Sequence, residues 1–331
     1  MRDVAQLAGV SISTVSHVVN NSRGVSDEAR AQVVQAMAQL DYRPNALARS
    51  LRRQKTHSLG MIVPDNANPF FAEIARAIED RGFAHGYSII LCNSDGNLQK
   101  QAAYVDLLVE RRVAGILFVA AGVSTELVDD LQRQRVPLVV IDREVPGVAV
   151  DMVQTNHHQG GRLATEHLIA LGHRRIGCIP AGSDLSPGAE RLAGYRDALA
   201  AHGLAEDTAL VVPGDFQFAS GYRAMGQLLA LAERPTAVFA GNDLMAVGAI
   251  RAATAAGLRV PEDLSIVGFD DISLASYTNP PLTTIHQPKR EIGRLAMEML
   301  LARMNDPDAP PRSVRLETEL VVRQSSSLTW R

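Results

Sequence analysis

Residues 59–64, LGMIVP, begin a series that continues with FFAEIARAIEDRGFAHG (70–86), SIILCN (88–93), LQKQAAYVDLLVERR (98–112), GILFVA (115–120), TELVDDLQRQR (125–135) and PLVVID (137–142). Apolar runs of strand length alternate with stretches whose apolar residues recur at helical spacing, which predicts a parallel sheet covered by helices on both faces. A second series follows Gly160-Gly161: a helix to about Leu171, RIGCIP (175–180), AERLAGYRDALAAHG (189–203), LVVPGD (210–215), GYRAMGQLLAL (221–231), AVFAG (237–241), NDLMAVGAIRAATAAG (242–257) and LSIVGFD (264–270). The fold class is therefore α/β, with two doubly wound parallel-sheet lobes. LTTIHQ (282–287), a helix from Pro288 to about Met304 and a strand near Val314 to Val322 are expected to cross back between them. The expected lobes are 58–155 with 288–314, and 156–287 with 315–331.

The first 45 residues read differently. Val4, Ala5, Leu7 and Ala8 have helical spacing, Gly9-Val10-Ser11 interrupts it, and Val15, Val18 and Val19 resume it. Two short helices joined by a tight corner are implied, with Ser11 capping the second. A third helix is expected from Asp27 to Leu40, capped by Ser26, with Val33, Val34, Ala36, Met37 and Leu40 inward. In such a helix-turn-helix the second helix enters the major groove of DNA. Its outward residues here are Ile12, Ser13, Ser16, His17 and Asn20, hydroxyl, imidazole and amide groups that bond base edges and an apolar side chain that contacts a thymine methyl. Residues 46–57 can form only a brief helix, too short to persist alone in water, and are expected to act as a hinge that orders on binding.

Charge follows the same division. The chain carries −3 overall, but residues 1–55 carry +4 and the remainder −7. A basic head on an acidic body turns the head toward phosphates.

In open parallel sheets ligands bind beyond the carboxyl ends of the strands. Those places hold Asp65, Asn66, Asn68, Phe70 and Phe71 after MIVP, Asp142 and Arg143 after PLVVI, and Arg191, Phe216, Asn242, Asp270, His286 and Gln287 in the second series. Carboxylates that accept from adjacent hydroxyls, guanidinium and amide groups that donate to ring oxygens, and phenyl faces that cover C–H surfaces suit a polyhydroxylated ring.

The stretches DVAQLAGVSISTVSHVVNNSRGVS and YRPNALARSL resemble the head and hinge of the lactose/galactose repressor family, and the resemblance extends through nearly the whole chain. It implies a homodimer on double-stranded, pseudo-palindromic operator DNA, with contacts from Ile12, Ser13, Thr14, Ser16, His17, Asn20, Arg23, Asn45 and Arg49. It also implies an apolar wedge, Leu51, that opens a central base step. The segments NPFF, IDR, AER with LAGY, GDF, GND, GFD and IHQ resemble sugar-contacting segments of bacterial ribose-binding proteins, and LCNSDGN and DDISLASYTNPPLTTIHQPK resemble ribose-operon repressors. The implied effector site is Asn68, Phe70, Phe71, Asp142, Arg143, Arg191, Phe216, Asn242, Asp270 and Gln287. D-ribose is the first choice of effector, ahead of another pentose or small hexose; a purine corepressor is the alternative, because purine repressors share the scaffold. Induction and corepression use the same machine with opposite sign, and the sugar-like pocket favours induction.

Other classes fit less well. There is no GxSxG elbow, no GxxxxGK[ST] loop and no HExxH, so no enzyme is expected; His157-His158 reads as a loop before a helix rather than a metal or base site. Cys92 and Cys178, the only two cysteines, lie in apolar strand-like runs and read as buried thiols. No metal or cofactor is expected. No apolar run approaches the roughly 20 residues of a membrane span, and the start lacks a secretory pattern, so the expected location is the cytoplasm. The tail 324–331 lacks leucine heptads, which favours a dimer over a tetramer.

Overall fold

The computed structural model describes residues 1–19, 24–42, 56–119, 124–143, 145, 147–181 and 187–329. The chain divides into two units, Met1–His57 and Ser58–Arg331.

In the first unit α1 (Arg2–Leu7), α2 (Ile12–Val19) and α3 (Asp27–Gln39) enclose Val4, Ala5, Ala8, Val15, Val18, Val33 and Ala36. The corner between α1 and α2 contains Gly9 at φ +63°, a left-handed conformation that a side chain would strain. Ser11 Oγ accepts from the Thr14 backbone N–H at 3.1 Å, and Ser26 Oγ from that of Ala29 at 3.3 Å, so α2 and α3 each start on a hydroxyl cap. Ser26→Ala is expected to lower head stability by about 1 kcal/mol, read as an earlier head transition in calorimetry. Val34 and Leu40, expected inward, are 56% and 44% exposed. Three short helices bury only a narrow stripe, and Val34 lies about 100° around the helix from Val33.

The second unit has two sheets. Among the described residues the first holds β1 (Ser58–Val63), β2 (Ser88–Asn93), β3 (Ile116–Val119), β4 (Leu138–Ile141), β5 (Asp151–Thr155) and β10 (Ser313–Leu316), all parallel, in the order β10-β5-β4-β3-β1-β2. The second holds β6 (Ile176–Ile179), β7 (Ala237–Ala240), β8 (Ser265–Asp270), β9 (Thr283–His286) and β11 (Glu319–Val321), in the order β11-β9-β8-β7-β6, with only β11 antiparallel.

Side-chain alternation builds the layers. Leu59, Met61, Val63, Leu117, Val119, Val139 and Ile141 face α4 (Pro69–Ala84) and α11 (Lys289–Asn305), while Ile62, Ile116, Phe118, Leu138 and Val140 face α5 (Leu98–Glu110) and α6 (Thr125–Arg133). In the second lobe, Ile176, Cys178, Phe239, Val267, Phe269 and Ile285 face α7 (His157–Ala170) and α8 (Pro187–Ala201). Ile179, Val238, Ala240 and Ile266 face α9 (Phe218–Leu229) and α10 (Asp243–Ala255). Each fully buried large aliphatic or phenyl side chain contributes about 1.5–3 kcal/mol.

Three local expectations change. LVVPGD forms no strand but two isolated bridges, Cys178 with Val211 and Ala181 with Gly214, because Pro213 interrupts a ladder at the sheet edge. The final strand is two, one joining each sheet. β5 is a strand that the sequence pattern hid, since DMVQT mixes polar and apolar residues. Both cysteines are buried and free, and both thiols are pushed up by burial.

Candidate functional site

The head presents Ile12 (48% exposed), Ser13 and His17 on the open face of α2, with Thr14 and Ser16 half-buried beside them. Asn20, Arg23, Asn45, Arg49 and Leu51, the remaining DNA-facing candidates, lie outside the described residues.

In the second unit a cavity of about 540 Å³ opens between the carboxyl ends of the two sheets. From the first lobe come Asp65, Asn68, Phe70 and Phe71 after β1, Asp95 after β2, and Asp142 with Arg143 after β4. The second lobe supplies Arg191 on α8, Asp215, Phe216 and Gln217 ahead of α9, Asn242 at the cap of α10 and Asp270 at the end of β8. Nine of the ten expected ligand residues thus line one cavity. Gln287 does not; it is fully buried behind the wall, where its Nε2 donates to Asp270 Oδ1 at 2.8 Å.

Helix caps set the amides. Asn68 Oδ1 accepts from the Phe70 N–H at 3.0 Å and Asn242 Oδ1 from that of Met245 at 2.9 Å, while Asn242 Nδ2 donates to the Phe216 carbonyl at 3.1 Å. Asn68 Nδ2 is then left as a donor toward the cavity. Backbone strain sets the other groups: Asp142, Phe216 and Asp270 take φ of +63°, +66° and +110°. Such conformations cost about 1–3 kcal/mol each and persist where the surroundings over-determine them.

Arg191 is the centre. Its guanidinium donates to the Gly241 carbonyl, lies 3.4 Å from His157 Nδ1 and 3.5 Å from Asp270, and stacks 3.7 Å over the Phe269 ring. His157 Nε2 is 2.8 Å from Asp142 Oδ1, as is Thr155 Oγ1. A ring that accepts at Nδ1 and donates from Nε2 thereby joins the guanidinium to the carboxylate. Burial pushes the Asp142 carboxyl up, but His157, Arg191 and Thr155 outweigh it and hold the group below its ordinary value. For Asp270 burial wins: the carboxyl is pushed up to about 6 despite Arg191, Gln287 and Lys289. Behind it Asp243, buried and receiving Thr284 Oγ1 and the Ile272 N–H, is held well above the carboxylate range by burial and the neighbouring Asp270.

His157, read from the sequence as a loop residue before a helix, is instead the buried first residue of α7, paired with Asp142. Thr155 ends β5, a strand the sequence pattern hid, and from there it bonds Asp142. Asp95, Asp215 and Gln217 lie in loops whose conformation the sequence pattern does not specify.

A cavity lined by five aspartates and two arginines, Arg143 and Arg191, on a two-lobed body with an N-terminal helix-turn-helix defines a DNA-binding regulator with an effector cleft. Residues 1–45 match the bacterial regulatory proteins of the lacI family, and residues 165–326 match the periplasmic binding protein-like domain. The chain is 44% identical to the ribose operon repressor of Escherichia coli K12 over 327 residues, 98% of this chain and 99% of that one. It is 42% identical to the HTH-type transcriptional repressor PurR of Photobacterium profundum over 326 residues, 98% of each. The lac repressor dimer bound to operator and the anti-inducer ONPF superposes with a TM-score of 0.88 at 32% identity over 98% of both chains. A LacI family regulator of Enterococcus faecium with bound ribose gives 0.76 at 33%, over 82% of this chain and 100% of that one. The chain belongs to the LacI family: it is a transcriptional repressor with a periplasmic-binding-protein-like effector domain, not an enzyme. Among the described residues no helix is long and apolar enough to cross a membrane, and no cluster of metal-ligating side chains occurs.

Proposed function

We propose that this repressor binds a pseudo-palindromic operator as a cytoplasmic homodimer and is released by a small neutral sugar, D-ribose in first place, held between the lobes by the nine cavity-lining residues named above, with Gln287 fixing Asp270 from behind. The observation that carries the effector reading is the balance of the cavity. Five carboxylates against two guanidiniums repel phosphorylated ligands and offer many acceptors, which a polyol with a donor on each hydroxyl fills. A purine base offers only one or two ring N–H donors. The likeness to the ribose operon repressor and to the ribose-bound Enterococcus faecium regulator supports the same choice. The similarity to PurR keeps a purine corepressor as the second reading, supported by Phe70, Phe71 and Phe216 around the cavity.

Sugar binding shifts the operator equilibrium only through its differential affinity for the two states. The test is fluorescence anisotropy on an operator selected from random duplexes: ribose should release the protein and a purine base should not. Tighter operator binding with a purine would reverse the assignment. Because Asp270 sits at about 6 and must be ionised to accept two hydroxyl protons, ribose affinity is expected to rise from pH 5 to 7 and then level; a flat profile would separate Asp270 from the sugar.

A further inference from the structure

We propose that Lys289 is a positioning residue of the effector site, an inter-lobe strut that fixes the backbone of Asp270 and Asp271 and thereby aims the Asp270 carboxylate; this rests on the effector reading above.

Lys289 does not line the cavity. It begins α11, which packs against α4 of the first lobe so closely that a Cβ at Gly293 would meet Ala77 Cβ at 2.7 Å and the Ile74 carbonyl at 2.9 Å. The lysine is therefore anchored to the first lobe. Its side chain, only 5% exposed, reaches the other lobe, where Nζ donates to the Asp270 carbonyl at 2.7 Å and the Asp271 carbonyl at 2.6 Å. The third direction is filled by Glu73 on α4, whose Oε2 lies 3.6 Å away. Two of its N–H bonds thus meet consecutive carbonyls of one strained segment, with φ of +110° at Asp270 and +51° at Asp271, while Glu73 pairs its charge.

A buried ammonium is costly unless it is paired and hydrogen-bonded, and here its two hydrogen bonds hold two non-glycine residues in the left-handed region. The consequence falls on the Asp270 side chain, which is left pointing at Arg191 and Gln287 rather than at the lysine. The other charged groups nearby are already engaged: Asp271 accepts from His286 Nδ1 at 2.8 Å and from Arg323 at 2.6 Å, and Glu73 also accepts from the Ser273 N–H at 3.3 Å. No other described cation donates to the Asp270 carbonyl.

The experiment follows the Asp270 carboxyl by carbon NMR in full-length protein carrying carbon-13 aspartate, assigned by its loss in Asp270→Asn, alongside calorimetric titration with D-ribose. In Lys289→Gln, which keeps N–H donors but loses the charge and reach, the Asp270 midpoint should move up and ribose binding at pH 5, below the midpoint, should weaken about tenfold, the equivalent of one pK unit. Lys289→Met should do the same or more, and Glu73→Gln should leave both within twofold. An unchanged midpoint in folded Lys289→Gln overturns the proposal, as does an equal loss in Glu73→Gln, which would mark a merely structural contact. Because the midpoint is read without ligand, a wild-type protein silent to ribose would remove the effector reading while the role of Lys289 is still decided.

Discussion

Arg191→Ala is expected to weaken effector binding by about 10²–10³-fold, some 3–4 kcal/mol, because truncating one member of a buried, hydrogen-bonded charge network leaves the others unpaired. The side chain touches the Gly241 carbonyl, His157, Asp270 and the Phe269 face at once. Without it Asp142 and Asp270 face each other across the cavity with no buried cation between them. Lysine should not rescue the loss, since a single ammonium cannot span acceptors on three elements and lie flat on a phenyl ring. Titration calorimetry of Arg191→Ala and Arg191→Lys reads the effect; near wild-type affinity in either would move the ligand away from this guanidinium.

Gly161→Ala has the largest expected effect on stability. A Cβ there would lie 2.1 Å from the Arg191 carbonyl oxygen and 3.0 Å from its Cα, and on the facing helix a Cβ at Gly194 would lie 2.0 Å from the His158 carbonyl. The two glycines let α7 and α8 cross backbone to backbone, so an added methyl must part them. Overpacking against fixed backbone is expected to cost about 3 kcal/mol or more, at the upper end for cores. Since α7 begins with His157 and α8 carries Arg191, the same separation also opens their contact. Gly226→Ala is the control: it lies inside α9 with nothing within 4 Å of its Cβ. It should stabilise by about 0.5–1 kcal/mol through helix propensity and the restricted unfolded chain. Calorimetry of the two variants should move in opposite directions; an unaffected Gly161→Ala would mean that the helices have room to spare.

The strand and helix series was legible because buried parallel strands such as GILFVA and PLVVID are continuous apolar runs that little else resembles. Strand ends were then enough to gather Asn68, Phe70, Phe71, Asp142, Arg143, Arg191, Phe216, Asn242 and Asp270 around one cavity, since topology rather than side-chain detail places them. β5 was not legible. Asp151 is buried against Arg303 at 2.9 Å, a pair far apart in the chain that no local pattern shows, and it makes a core strand look like a loop. With β5 went Thr155, which bonds Asp142, and the loop reading of His157 hid the bridge between Asp142 and Arg191. Lys289 was hidden for a related reason: a lysine at a helix start reads as solvated, and only the crossing of the lobes brings two strained carbonyls to it. The glycine crossings were equally silent, because Gly161 and Gly226 look alike until the neighbouring helix is in place.

The central claim is a neutral sugar bound between the lobes by the Arg191 network. Isothermal titration of the purified protein with D-ribose at pH 7, with a hexose and a purine base as controls, tests it most directly. The account predicts saturable heat with ribose in the micromolar range, absent in Arg191→Ala. Silence with ribose from folded protein, or saturable heat with the purine base instead, would contradict it.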